Sequence, residues 1–151
     1  FVIAGGMESL VNSIEGAEDN VDDAIKQVEN LNIRKGDVLI GLAASGETAF
    51  TISAIQQAKK NGALTIGISN NKNTRIEKVS DLAVVINTGY EAIAGSTRLK
   101  AGTAQKICLN LISTMLMVKF GKVKNGMMTE MIPSNIKLRK RFSLIKGNIT
   151  S

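Results

Sequence analysis

Apolar residues in this chain fall into two patterns, short unbroken runs and sets recurring at helical spacing. Phe1–Ala4, Val38–Leu42, Leu64–Ile68 and Leu82–Ile86 are short, nearly continuous apolar runs bounded by Gly or polar residues, which predicts four buried strands. Between them, Val21, Ala24, Ile25, Val28 and Leu31 recur at helical spacing. A second helix is predicted from about Thr48 to Asn61, closed by Asn61-Gly62 as a left-handed stop. Shorter helices are predicted over Met7–Ser13 and Thr74–Val79, and a long one over Ala101–Phe120. That last helix is apolar on most of its circumference and is therefore expected to be buried on two sides. A final basic helix is expected from Pro133 onward. Strands that alternate with helices, each strand a near-continuous apolar run, imply an α/β fold: a parallel sheet flanked by helices on both faces. Ligands in such folds bind beyond the carboxyl ends of the strands. Three segments are candidates for that rim: the polar turn Glu15–Asn20, the corner at Ser45, and the Gly-rich stretch Asn87–Leu99.

The corner is the most informative of the three. Val38–Leu42 runs into Ala43-Ala44-Ser45-Gly46-Glu47-Thr48, and a helix begins near Thr48. Small side chains let a ligand approach the backbone. The hydroxyls of Ser45 and Thr48 and the free N–H groups of the helix start converge there, which suits a phosphate. The segment lacks the Gly-Lys-Ser/Thr ending of a nucleotide P-loop and is not Gly-x-Gly-x-x-Gly, which disfavours a nucleotide. The same corner also reads as an ordinary strand-to-helix turn with a serine cap. The three carboxylates of Glu15, Glu18 and Asp19 could be acid–base groups or acidic helix-start residues. Gly95–Lys106 gathers Ser96, Thr97, Arg98 and Lys100 at the start of a helix, where they could hold a phosphorylated or polyhydroxyl ligand.

Composition narrows the chemistry. Of 151 residues 44% are hydrophobic and 21% charged, in keeping with a soluble globular domain. The chain has no histidine and one cysteine, Cys108, in an apolar helical run. A zinc site is not expected, and Ser-His and Cys-His mechanisms are impossible within this chain. Acid–base work must fall to carboxylates, lysines or Tyr90. Residues 119–151 hold eight Lys/Arg against Glu130, a net of +7, which leaves −1 on residues 1–118. With 3% aromatics and no reading helix, this basic end is read as a solvated helix face rather than a nucleic-acid site. No secretory signal or membrane span is read, and a cytoplasmic location is the expectation. A chain that starts at Phe1, inside what reads as a strand, is expected to be part of a longer protein.

The segments Ile14-Glu15-Gly16-Ala17-Glu18-Asp19, Leu42–Thr48, Gly95–Lys106 and Gly121-Lys122-Val123, in this order over nearly the whole chain, closely resemble N-acetylmuramic acid 6-phosphate etherase. That family lies in the sugar isomerase (SIS) domain superfamily, with the glucokinase regulatory protein as a relative. The resemblance implies a Rossmann-like SIS fold and a cofactor-independent lyase. Such an enzyme cleaves the D-lactyl ether of N-acetylmuramic acid 6-phosphate, giving N-acetylglucosamine 6-phosphate and D-lactate. It divides the chain into a partial SIS domain over 1–121 and a C-terminal basic helical segment over 122–151. Family members are about twice this long, and their upstream half carries a first phosphate loop and one catalytic glutamate.

The resemblance assigns the second catalytic glutamate to Glu18. Ser45, Gly46 and Thr48 become the second sugar-phosphate loop, and Glu91, Ser96, Arg98 and Lys100 further ligand-binding positions. It implies a phosphorylated amino sugar as ligand; no metal and no nucleic acid or membrane partner is expected. The long apolar helix Ala101–Phe120 has more hydrophobic surface than one sheet face can cover, which predicts a homodimer interface or contact with a missing half of the protein. A non-catalytic sugar-phosphate sensor and an aldose–ketose isomerase are the other readings. The chain departs from the family at Glu47, where members usually carry arginine, and over Lys124–Glu130.

Overall fold

The structure, a computed structural model, describes residues 1–149. Two compact units divide the chain, Phe1–Lys106 and a second that begins at Ile107. The last two positions of the C-terminal segment expected over 122–151 lie outside the described residues.

In the first unit, strands β1 (Val38–Leu42), β2 (Leu64–Ser69) and β3 (Leu82–Val85) form a parallel sheet in that order. Gly41 of β1 stands opposite Gly67 of β2. Helix α1 (Val21–Asn30) packs on α2 (Ala49–Lys60), which covers β1 and β2, while α3 (Arg75–Val79) lies over β2 and β3. The two glycines explain the close seating of these helices. A Cβ on Gly41 would run into Ile55 of α2, and one on Gly67 into Ser80 and Ile76 at the end of α3. Ala24 and Val28 pack with Phe50, Ala54 and Ala58, and Ile55 and Ile76 pack with Ala43. Burying such side chains is worth about 1.5–3 kcal/mol each for the larger ones.

An ionic knot fastens the lower edge of the sheet. Asp81, just before β3, takes Lys59 of α2 at 2.7 Å and accepts from both the N–H and the hydroxyl of Thr65. Lys59 first, then Thr65, pull the Asp81 carboxyl down from 3.8 to about 2.

Three expectations are corrected. Phe1–Ala4 is not a strand. Val2 and Ala4 do pack on the α1–α2 core, but the backbone of Ile3 bonds the side-chain amide of Gln27, at 3.2 and 3.0 Å, in place of a strand. Without a neighbouring strand the run cannot form a ladder, and β1 has no partner on its outer side among the described residues. The helix expected over Met7–Ser13 is a short 3-10 turn, Gly6–Leu10. The long helix α4 (Lys100–Lys119) forms as expected, but Ala101 is its one buried residue. Four of its apolar residues, Ile107, Leu111, Met115 and Val118, are more than half exposed.

The second unit holds the rest of α4, a small antiparallel pair β4 (Val123–Lys124) and β5 (Met127–Met128), and the basic helix α5 (Ile136–Ile149). The β4–β5 turn is Asn125-Gly126 with both φ angles positive, at 51° and 74°. Asn135 caps α5 by accepting from the N–H of Leu138 at 2.9 Å.

Candidate functional site

At the carboxyl end of β1 the chain turns sharply at Ser45 and Gly46 before α2 begins. Gly46 stands at φ +74°, a conformation that glycine adopts freely. Its N–H donates to the Ala43 carbonyl at 3.0 Å, and its own carbonyl accepts from the N–H of Ile76. Gly46 is therefore buried against α3 and shapes the corner. Ser45 is exposed, and its hydroxyl oxygen accepts from the N–H of Glu47 at 3.1 Å. Thr48 occupies the position before the first residue of α2 and makes no side-chain cap. The N–H groups of that first turn have no intrahelical acceptor, and their dipole favours an anion.

This corner opens on a cleft of ≈ 870 Å³. Ser45, Thr48, Gly95, Thr97 and Gln105 line one part of it, and Glu18 contributes as well. The rest follows β1 and the segment Phe1–Ala4. Glu18 is exposed, carried on a 3-10 turn over Ala17–Asp19 that starts from Gly16. A smaller cleft of ≈ 250 Å³ adjoins through Ala44, Gly95 and Thr97 and reaches Asn70, Thr88 and Glu91. The smaller cleft and the Ser45–Thr48 part of the larger one lie where the strands end, the position at which parallel α/β sheets bind ligands.

The remaining sequence-predicted positions fall in different places. Glu91 is half-buried, and its two carboxylate oxygens accept from the N–H groups of Lys100 and Ala101, each at 2.9 Å. It thus caps α4, and these two donors, Ala101 first, hold its carboxyl below the usual range. Ser96 is half-buried and donates its N–H to the Ile93 carbonyl. Arg98 and Lys100 are exposed and line neither cleft. The structure therefore brings Glu18, Ser45 and Thr48 to one cleft and Glu91 to its neighbour.

Asn70 and Gln105 are wall residues that the sequence reading did not single out. Gln105 donates to the Asn70 side chain at 2.9 Å, and Asn70 donates in turn to the Ile86 carbonyl at 3.1 Å. Asn70 directly follows β2, so the rule that ligands sit at carboxyl ends would have found it.

Glu47, the residue that departs from the family pattern, does not line the large cleft, although its neighbours Ser45 and Thr48 do. Its carboxylate accepts from the N–H of Arg75, the first residue of α3, at 2.9 Å. Among the described residues no cluster of His, Cys, Asp or Glu could hold a metal ion, and no helix is long and apolar enough to cross a membrane.

Residues 3–115 match the SIS domain family. The chain is 46% identical over 140 residues to the N-acetylmuramic acid 6-phosphate etherase of Geobacillus sp. (strain WCH70), a match spanning 93% of this chain and 48% of that protein. To the enzyme of the same name from Clostridium acetobutylicum it is 47% identical over 140 residues, 93% of this chain and 46% of the other. The chain thus spans about half the length of the curated relatives it matches. The resemblance read from the motifs is borne out by these relatives. Among solved structures it is similar to the Vibrio vulnificus NanR protein complexed with ManNAc-6P. The TM-score is 0.58 at 12% identity, with 88% of this chain and 45% of that one covered, a likeness of fold alone.

Proposed function

We propose, on the premise that the chain belongs to the SIS domain family, that it supplies a sugar-phosphate corner and one acid–base carboxylate to an N-acetylmuramic acid 6-phosphate etherase. The observation that carries this reading is the meeting of Glu18 with the Ser45–Thr48 corner in one cleft. Residues 1–121 are the SIS part in this reading, and 122–151 a basic helical extension.

The ligand's phosphate sits at the start of α2, held by the hydroxyls of Ser45 and Thr48 and the unpaired N–H groups behind them. Thr97, just before α4, and Gln105 of α4 line the same cleft beside that phosphate. Glu18 faces the sugar and takes the proton from C2. The C3–oxygen bond then breaks, and a second carboxyl supplies a proton to the departing lactate oxygen. Water adds across the resulting double bond to leave N-acetylglucosamine 6-phosphate and D-lactate. Two carboxyls can divide these roles when their surroundings set different pKa values. The lack of histidine in the chain fits this division.

The whole protein acts in the cytoplasm, in recycling of cell-wall sugar, and as a homodimer. The exposed apolar stripe Ile107, Leu111, Met115 and Val118 on α4 supports the dimer.

The test is D-lactate release from N-acetylmuramic acid 6-phosphate by the full-length protein and its Glu18→Gln variant. Loss of a general base lowers the rate by about 10²–10⁴-fold. Lactate release at the wild-type rate from Glu18→Gln would refute the assignment. Tight binding without lactate release by the wild type would point to a regulatory binding protein instead.

A further inference from the structure

We infer that Glu47 is a positioning residue of the phosphate corner, acting through the first turn of α3 and not on the ligand; the inference rests on the sugar-phosphate reading above. A carboxylate next to a phosphate loop would by default repel its ligand. Two observations say otherwise here. Glu47 is absent from the walls of the large cleft, while the residues on either side of the turn, Ser45 and Thr48, line it. Its carboxylate is already engaged, accepting the N–H of Arg75 at 2.9 Å. The negative charge is spent on the start of α3, where an unpaired donor and the helix dipole favour it.

A second bond of this residue, through its backbone, steadies Ser45. The backbone N–H of Glu47 donates to the Ser45 hydroxyl oxygen, which turns the hydroxyl's own hydrogen away from that donor and leaves it free to be given to a ligand. Backbone contacts tie the corner to α3 alongside it: Ile76 N–H to the Gly46 carbonyl at 3.0 Å, with Gly46 seated on Thr74. Glu47 is the one side chain of the corner that reaches α3 by a hydrogen bond among the described residues. Free of that bond, the carboxylate is loose to swing toward the ligand, and the turn that carries Ser45 loses its side-chain tie to α3.

The partner in this bond is a backbone N–H, so it can be removed without touching Glu47. Arg75 is the first residue of α3, where proline is well tolerated. The preceding residue, Thr74, has the extended backbone, φ −86° and ψ 165°, that proline requires before it. Arg75→Pro therefore deletes the donor and preserves the helix start.

The experiment measures, by calorimetry on the full-length protein, affinity for N-acetylglucosamine 6-phosphate, with N-acetylglucosamine as the unphosphorylated control. Glu47→Gln, whose amide oxygen still accepts from Arg75, should stay within about twofold of wild type, because the hydrogen bond survives the loss of charge. Glu47→Ala and Arg75→Pro should each weaken the phosphorylated sugar about five- to tenfold and leave the unphosphorylated one unchanged. The double variant should be no weaker than either single one, since both remove the same bond. Arg75→Ala, which keeps the N–H, should match wild type.

Tighter binding by Glu47→Gln or Glu47→Ala would overturn the inference, because it would mean that the carboxylate faces the ligand. Independent losses that multiply in the double variant would overturn it too. Should Glu47→Ala fail to fold, Arg75→Pro against Arg75→Ala decides the matter alone. Wild-type protein that binds the sugar phosphate but releases no lactate refutes the etherase reading and leaves this order of affinities to judge Glu47. No binding by the wild type refutes both.

Discussion

Replacing Gly46 with alanine should destabilise the protein through two separable effects. At φ +74° an alanine sits in the left-handed region, at a cost of about 1–2 kcal/mol. Its Cβ would also stand 2.5 Å from the hydroxyl oxygen and 2.6 Å from the methyl of Thr74, and closer still to the Thr74 Cβ. Thr74 cannot rotate away from a clash with its own Cβ. It is 4% exposed and bound to Glu77 through both its N–H and its hydroxyl. Overpacking of this kind costs about 1–3 kcal/mol. Together the two effects make about 2–5 kcal/mol, a large share of the 5–15 kcal/mol that holds a typical domain. Gly89→Ala is the control: φ is +64°, yet a Cβ there meets nothing within 4 Å. Urea unfolding followed by circular dichroism should show Gly46→Ala less stable than Gly89→Ala by about 1–3 kcal/mol, the overpacking part. Equal losses in the two variants would refute the packing argument at the corner.

Three further outcomes follow from the same contacts. Asp81 titrates near 2 in the folded protein against 3.8 ordinarily, so its partners add stability above about pH 4 that is lost as the pH falls toward 2. Acid unfolding of Asp81→Asn should accordingly show a weaker dependence on pH over that window than wild type, and an unchanged slope would count against the Lys59–Thr65 knot. Glu91→Ala should speed hydrogen exchange at the amides of Lys100 and Ala101, which lose their acceptors, with little change at β1 amides; equal protection in the variant would show that Glu91 does not cap α4. For the proposed dimer, Leu111→Glu with Met115→Glu in the full-length protein should shift sedimentation toward the monomer, and an unaltered coefficient would exclude this face.

Parallel strands are legible because they read as unbroken apolar runs, and β1, β2 and β3 begin at the residues so predicted, although β3 is not buried as its run predicts, with Leu82 and Val84 exposed. A strand is also a relation between neighbours, however, and Phe1–Ala4 has the composition without the partner. The β4–β5 pair is hard to read although Asn125-Gly126 is a strong hairpin signal, because the strands on either side are two residues long. At the site, small residues and hydroxyls before a helix marked the corner correctly as a turn at a strand's carboxyl end. The capping of α4 by Glu91 could not be read in the same way. Its partners lie nine and ten positions on, and only the fold of the intervening loop brings them together. The bond from Glu47 to Arg75 spans 28 positions and leaves no trace in local pattern.

The open outer side of β1 has a practical meaning for anyone handling the chain. An edge strand offers a row of unsatisfied donors and acceptors, and natural sheets guard such rows with charge, proline or a covering segment. Val38-Leu39-Ile40-Gly41-Leu42 has neither charge nor proline, and Val38 is 54% exposed. Kept alone in concentrated solution, the chain is expected to associate through this strand, and light scattering that does not rise with concentration would refute this.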